Sequence, residues 1–403
     1  MKVAGRRYVV MNHSDGIAHI MRNPHKALCS KENALLIEAV GGVTPKNLEY
    51  DLFESLGSAF SRISSNRNIP RFSASFHQHL LLAFDLFASP KPRINRISLN
   101  HFVGHCLYSS VSTALWGPDF PADTYPDFHV VDANLSRLLV PLPFLTPKHV
   151  LRAREALKAR LGEYLRKRSR VKDDKEHATY EGSLLVDLIL NADIPPPDQQ
   201  GTLLGAMFAL HSNSIRMSTW LLAYLLCDRA LWCRLQQEVD SAISNHLDSK
   251  LENLLALPPT RFDQELFPLL DSALKEAIRL STAPTLIRKV TSDCEVIIDG
   301  NSSVEVRTGE YVLTNGCAIN FDEEFFHDAA HFQADRFVKG NSTTKPISAF
   351  GGGARMVSPS YIQYRSNNIS YHEKVQRPGL CVIRDEGLHR PLPKASRVSG
   401  RET

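Results

Sequence analysis

The sequence predicts a mainly α-helical protein with a small β-sheet. Apolar residues recur at three- and four-residue intervals through most of the chain before Leu280. Strand-like alternation is confined to short pieces, most of them after Thr285. Stops containing Gly or Pro, such as Trp116-Gly117-Pro118 and Pro141-Leu142-Pro143, punctuate the helical runs.

Taken in order, Tyr8-Val9-Val10-Met11 reads as a short strand. The cap-like cluster Asn12-His13-Ser14-Asp15 then opens a helix through about Arg22. Helices are expected over 47–62 and 72–87, the second stopped by Pro90-Lys91-Pro92. Others are expected over 98–115, over 128–140 as one amphipathic helix, and over 150–170 with a basic end. Residues 171–182 are polar and read as a connection. The longest apolar helix covers 201–226 and runs almost directly into 230–246, and a further helix covers 267–280. Strands are expected over 285–291, 294–299 and 311–315. No repeat or low-complexity segment is evident.

Bulk properties bound the function. With 403 residues, 43 % hydrophobic and 22 % charged, the chain has an ordinary globular balance able to fill a large core. A formal net charge of +4 is too small to argue for a nucleic-acid partner. The basic run Arg166-Lys167-Arg168-Ser169-Arg170 has no interleaved aromatics and reads as a solvated helix end, where cations suit the dipole. The seven cysteines form no Cys-x-x-Cys pair and read as reduced thiols, not as a zinc site or disulfide framework. No signal peptide and no apolar run near 18 residues is found, so no membrane span is expected.

Several segments carry chemistry. Glu276-Ala277-Ile278-Arg279 puts a carboxylate and a guanidinium on one helix face, an arrangement that an exposed ion pair would equally explain. Thr282-Ala283-Pro284 and Arg288 follow, then Phe332-Gln333-Ala334-Asp335-Arg336-Phe337, then Phe350-Gly351-Gly352-Gly353-Ala354-Arg355-Met356. In this order and spacing they resemble the cytochrome P450 family over roughly Arg6 to Met356. The resemblance implies a P450-like fold and a heme cofactor. It implies that Glu276, Arg279 and Arg336 form a buried network, that Arg288 reaches a heme propionate, and that Phe350 and Arg355 belong to the heme-side loop. A surface Arg on an edge strand would also explain Arg288.

Two departures matter. The family's ligand Cys, followed by Pro-Gly-Arg, is expected at position 357, where the chain has Val357-Ser358-Pro359-Ser360. A thiolate favours O–O cleavage at heme iron, so the metal ligand is expected to be missing. Cys381, in Arg377-Pro378-Gly379-Leu380-Cys381, is the weak substitute and reads equally as a free thiol. Composition also changes after Met356, and two parts are expected: an incomplete P450-like domain over 1–356 and an aberrant, disordered tail over 357–403. Val-Ser can be encoded by GTGAGT, the form of a splice donor, which would make the tail an unspliced intron. Compared with the family, the anchor and proline-rich hinge before Arg6 and the helix and hairpin after the Cys are expected to be absent.

The long helix carries Ala209-Leu210-His211-Ser212-Asn213-Ser214 and then Trp220. Ser212 stands where most family members have an acid, and Asn213 where they have a Thr. This looks like the branch of bile-acid sterol hydroxylases and prostacyclin synthase, as do Gly309-Glu310-Tyr311-Val312 and the region of His327-Asp328. By that resemblance Ser212 and Asn213 are the catalytic candidates, since an amide both donates and accepts. Asn213 at a helix kink is the plain alternative. His211 reads as a satisfied or solvent-facing His, not as an iron ligand.

The expected function is that of a heme-thiolate monooxygenase hydroxylating a lipophilic small molecule: a sterol, a terpenoid or another secondary metabolite. NADPH-cytochrome P450 reductase would be the partner. An inactive remnant without heme and a peroxide isomerase are the alternatives. The apolar loop 137–145 either packs in the core or makes peripheral membrane contact. The family implies the endoplasmic reticulum membrane, whereas the chain as written, with no anchor, reads as cytoplasmic.

Overall fold

Strand β2, Arg6–Met11, pairs in parallel with β7, Tyr311–Thr314, with Tyr8 opposite Tyr311 and Met11 opposite Thr314. Residues three hundred positions apart thus lie side by side, and the Tyr8 and Tyr311 rings stack at 5.1 Å. In this computed structural model the described residues are 2–3, 6–14, 16–17, 20, 28–29, 34–44, 50–63, 68–88, 97–139, 146–170, 180–246, 253, 257, 265–282, 287–299 and 302–338. The chain divides into two units, Met1–Arg365 and Ser366–Thr403, and every described residue belongs to the first. The tail expected over 357–403 lies outside the described residues.

The sheet of β2 and β7 has five strands in the order β1-β2-β7-β4-β3, with β1 Lys2–Val3, β3 Leu28–Cys29 and β4 Ile287–Val290. Strands β5, Cys294–Asp299, and β6, Ser302–Val306, form a separate antiparallel hairpin. Met11, Ile17, Val290, Val296, Val306 and Val312 bury one small apolar core between these elements. The four-residue stretch of β7 is buried at Tyr311, Val312 and Thr314, as a central strand requires.

Helices make up the rest: α1 Ala34–Gly41, α2 Tyr50–Ile63, α3 Ile69–Ala88, α4 Leu99–Trp116, α5 Tyr125–Ala133, α6 Leu135–Leu139, α7 Lys148–Arg170, α8 Ser183–Asn191, α9 Pro196–Cys227, α10 Arg229–His246, α11 Pro268–Ser281 and α12 Gly316–Asn320. Helices α5, α9 and α11 each carry Pro in the first turn, where the missing N–H costs nothing. Helix α4 ends at Gly117, whose φ of 88° suits a residue without Cβ.

The long helix α9 is the axis of the fold. From Gly201 to Phe208 it is buried without a break, with His211, Ser212 and Ile215 buried beyond, and it packs against α1, α4 and α7. Leu157, Leu161, Leu203, Leu204, Met207 and Phe208 lie at the centre of this core. Gly41 of α1 and Gly201 of α9 meet backbone to backbone: a Cβ on Gly201 would stand 2.5 Å from the Gly41 carbonyl oxygen.

Three expectations need correction. Helix α1 was not expected; it is apolar on nearly every face because it lies under α9, and so shows no amphipathic stripe. Helix α8 was also unassigned, although Leu185, Val186 and Ile189 are fully buried. The single helix expected over 128–140 is two, α5 and α6, broken at Asn134. There the side-chain amide donates to the Val130 carbonyl at 2.9 Å and competes with the helical hydrogen-bond pattern.

Candidate functional site

The structure brings Glu276, Arg279 and Arg336 together in one buried cluster. Glu276 and Arg279 lie one turn apart on α11, and both are fully buried. Arg279 donates from Nε to Glu276 Oε2 at 2.8 Å and from Nη2 to Oε1 at 2.7 Å, a two-pronged pairing that fits the planar guanidinium. Arg336 arrives from the 321–338 segment and donates from Nε to Glu276 Oε1 at 2.9 Å. The Gln333 backbone N–H donates to the same oxygen at 3.2 Å.

One carboxylate between two guanidiniums leaves an excess positive charge in a dry site. Backbone carbonyls absorb it. Arg279 Nη1 donates to Asn320 O at 2.5 Å and Ala329 O at 2.7 Å. Arg336 Nη1 donates to His327 O at 2.6 Å, and its Nη2 to Asp328 O and His331 O. The Phe326 ring lies 5.0 Å under the Arg279 guanidinium and adds an aromatic face. The cluster therefore fixes the path of residues 320–336, a stretch with almost no regular secondary structure.

That path carries visible strain. Asp328 has φ 51°, in the left-handed region that L side chains rarely adopt. Glu323 holds the turn by accepting from the Asp328 and Ala329 amides at 2.8 and 3.1 Å. A hydrogen bond shared with His331 Nδ1 holds the Asp328 carboxyl below the usual carboxylate range. Farther along, Phe332 stacks on Tyr224 of α9 at 4.3 Å, docking the segment on the long helix.

Ser212 and Asn213 point in different directions, as successive residues on a helix must. Ser212 is buried and donates from Oγ to Asp132 Oδ1 of α5 at 2.5 Å. Arg216, one turn on, donates to the same carboxylate oxygen at 2.9 Å. Asn213 is exposed. Asp132 was not among the residues read from the sequence, and nothing in its local pattern marks it. Arg216 stands four residues after Ser212, so its place on the same face was legible.

His211 is buried, with Nε2 3.1 Å from Ser112 Oγ of α4 and its ring 4.8 Å from that of Tyr108. Burial lowers its pKa to about 3, so it sits neutral in the core. Arg288 lies on β4, half-buried, opposite Val312 of β7. Phe350, Arg355, Val357 and Cys381 lie outside the described residues, as does most of the 137–145 loop.

Among the described residues, no side chain fits the thiolate ligand of a heme centre. The position expected to hold the ligand is Val357, whose side chain has no electron pair to give. Among the described cysteines, burial pushes the Cys106 thiol up to about 11 and raises that of Cys294, the reverse of what a thiolate ligand needs. No group of three His, Cys, Asp or Glu side chains converges on a metal among the described residues. None of the described helices is long and apolar enough to cross a membrane.

Comparison with known proteins places the geometry. Residues 125–356 match the family model described as cytochrome P450. The rat 25-hydroxycholesterol 7-alpha-hydroxylase (Rattus norvegicus) is 28% identical over 155 residues, 38% of this chain and 36% of the relative. Bovine prostacyclin synthase (Bos taurus) is 24% identical over 140 residues, 34% of this chain and 27% of the relative. The matched part thus spans about a third of these relatives' length. Among solved structures, a retinoic acid-bound cyanobacterial CYP120A1 superposes with a TM-score of 0.66 at 18% identity, covering 88% of this chain and 78% of that one. At that identity the likeness concerns the fold alone.

Proposed function

The chain belongs to the cytochrome P450 family, and on that premise we propose that its architecture is that of a heme-thiolate monooxygenase for a lipophilic small molecule, with the chemistry itself lost at Val357. The observation that carries the first half is the buried cluster of Glu276, Arg279 and Arg336, which fixes an irregular segment at a cost no surface ion pair would justify. Relatives that include a sterol hydroxylase support a sterol-like or terpenoid substrate. The second half rests on the donor set. Without a thiolate, heme has no axial ligand of the kind this chemistry requires.

Several finer assignments accompany this reading. Asn213 and Ser212 are the candidate residues of the long helix, and Arg288, Phe350 and Arg355 the candidate heme contacts. NADPH-cytochrome P450 reductase is the partner of an intact form. Exposed Leu139, 46 % accessible at the start of the 137–145 loop, supports peripheral membrane contact there, and the endoplasmic reticulum is the family's membrane.

Two measurements test the proposal. Sequencing the mature message across the Met356 codon distinguishes a Cys-Pro-Gly-Arg continuation, which sustains the monooxygenase reading, from Val357 through Thr403, which sustains loss of the chemistry. Heme titrated into the 403-residue protein and into Val357→Cys then reads the ligand directly. A thiolate-type spectrum of the reduced carbon monoxide complex is expected from the variant alone, and its appearance in the unmodified chain would overturn the proposal.

A second reading, a peroxide isomerase, is favoured by the exposed Asn213 amide and the match to prostacyclin synthase. Dependence on NADPH separates the two.

A further inference from the structure

Helix α4 carries His101 and His105 one turn apart, outside the cluster described above. Tyr125 of α5 lies against them, its ring 6.0 Å from His101 and 6.1 Å from His105. It can approach because Gly104 stands between the histidines: a Cβ there would fall 1.7 Å from the Tyr125 hydroxyl. Phe87 of α3 closes the other side, 5.4 Å from His105 and 6.5 Å from His101. The two imidazoles are thus held between aromatic walls, nearly parallel at 26° with centroids 6.2 Å apart.

Neither imidazole makes a hydrogen bond or ion pair among the described residues; their contacts are with rings. His101 is exposed and His105 half-buried, so the nitrogens are reachable from solvent. Burial, with His101 as a smaller contribution, lowers the His105 pKa.

We infer that His101 and His105 form a two-histidine chelate for a divalent transition metal of the Zn2+ or Cu2+ type. Two His at positions i and i+4 on one helix face present both nitrogens to a single ion, and imidazole suits these metals. A metal–nitrogen bond of about 2.0–2.1 Å asks the rings to close by roughly 1 Å from their 6.2 Å separation. The exposed ring of His101 makes that adjustment. No third protein ligand converges among the described residues, so water completes the coordination and the site is open. By binding only the folded helix, the ion stabilises the native state by mass action.

The experiment titrates Zn2+ and, separately, Cu2+ into the full chain near pH 7, following heat of binding and the thermal midpoint. One saturable site is expected, tighter for Cu2+, with a midpoint that rises on metal addition. His101→Ala and His105→Ala each weaken it at least about ten-fold, and the double variant removes both the binding and the midpoint shift. His129→Ala, which contacts Tyr125 but neither histidine, leaves both unchanged. Both substituted side chains touch solvent, and the metal-free midpoint reports folding independently. Binding that survives in the double variant, for instance at exposed Cys227 and Cys233, or no saturable binding at all, overturns the proposal.

Discussion

Arg336 donates to Glu276 across 2.9 Å although the two residues stand 60 positions apart. This contact joins α11 to a segment that has almost no backbone ladder of its own. Replacing Glu276 with Gln keeps the shape and removes the negative charge shared by two buried guanidiniums. Breaking a buried pair from one side costs about 3–5 kcal/mol, and a fall of that size in the urea-unfolding free energy is expected. A loss below about 1 kcal/mol would mean that the backbone carbonyls alone neutralise the site.

The crossing of α1 over α9 depends on two glycines. Gly201→Ala would put a methyl group 2.5 Å from the Gly41 carbonyl oxygen, against backbone that cannot swing aside. Overpacking of this kind costs about 1–3 kcal/mol. Gly57, exposed on α2 with nothing within 4 Å of a Cβ, is the contrasting case. Gly57→Ala is expected to raise stability by about 0.5–1 kcal/mol. Thermal midpoints of the two variants moving in opposite directions check both statements.

His211 makes stability depend on pH. Its folded-state pKa of about 3 lies below the 6.5 of a free imidazole, so the unfolded chain binds the proton first. The stability conferred by neutral His211 is complete above pH 6.5 and drains away as pH falls toward 3. The slope from this group is about 1.4 kcal/mol per pH unit. His211→Gln, which can keep the bond to Ser112, is expected to flatten the unfolding free energy between neutral pH and pH 5 by that amount. An unchanged slope would place the titration elsewhere.

Asp132 links α5 to α9 through two partners of unequal burial. Asp132→Ala leaves the buried Ser212 hydroxyl without its acceptor and is expected to cost about 1–3 kcal/mol. Arg216→Ala removes a side chain that is 49% exposed, and solvent screens such a pair to about 1 kcal/mol or less. A double-mutant cycle on Ser212 and Asp132 measures the coupling directly.

Much of the helical fold was legible because amphipathic helices advertise themselves. The expected boundaries of α2, α3, α4, α7, α9, α10 and α11 fall within a few residues of those observed. What escaped were two short, mostly apolar helices, α1 and α8, of eight and nine residues, too short for a helical period to stand out. The Asn134 break escaped for a local reason, a side-chain amide competing for a carbonyl. The family itself was legible in the order of its motifs along the chain.

By itself, the sequence determined the helical character, the family and the presence of Val at position 357, because periodicity, motif order and residue identity are properties of a line. Tertiary structure alone decided that Ser212 faces Asp132 while Asn213 faces outward, and that a single turn of α4 holds two unengaged imidazoles between Phe87 and Tyr125. It also decided that β2 lies beside β7. These depend on which helix faces meet and which distant strands pair. Such contacts are selected by the burial of the whole core, and no local stretch of sequence encodes them.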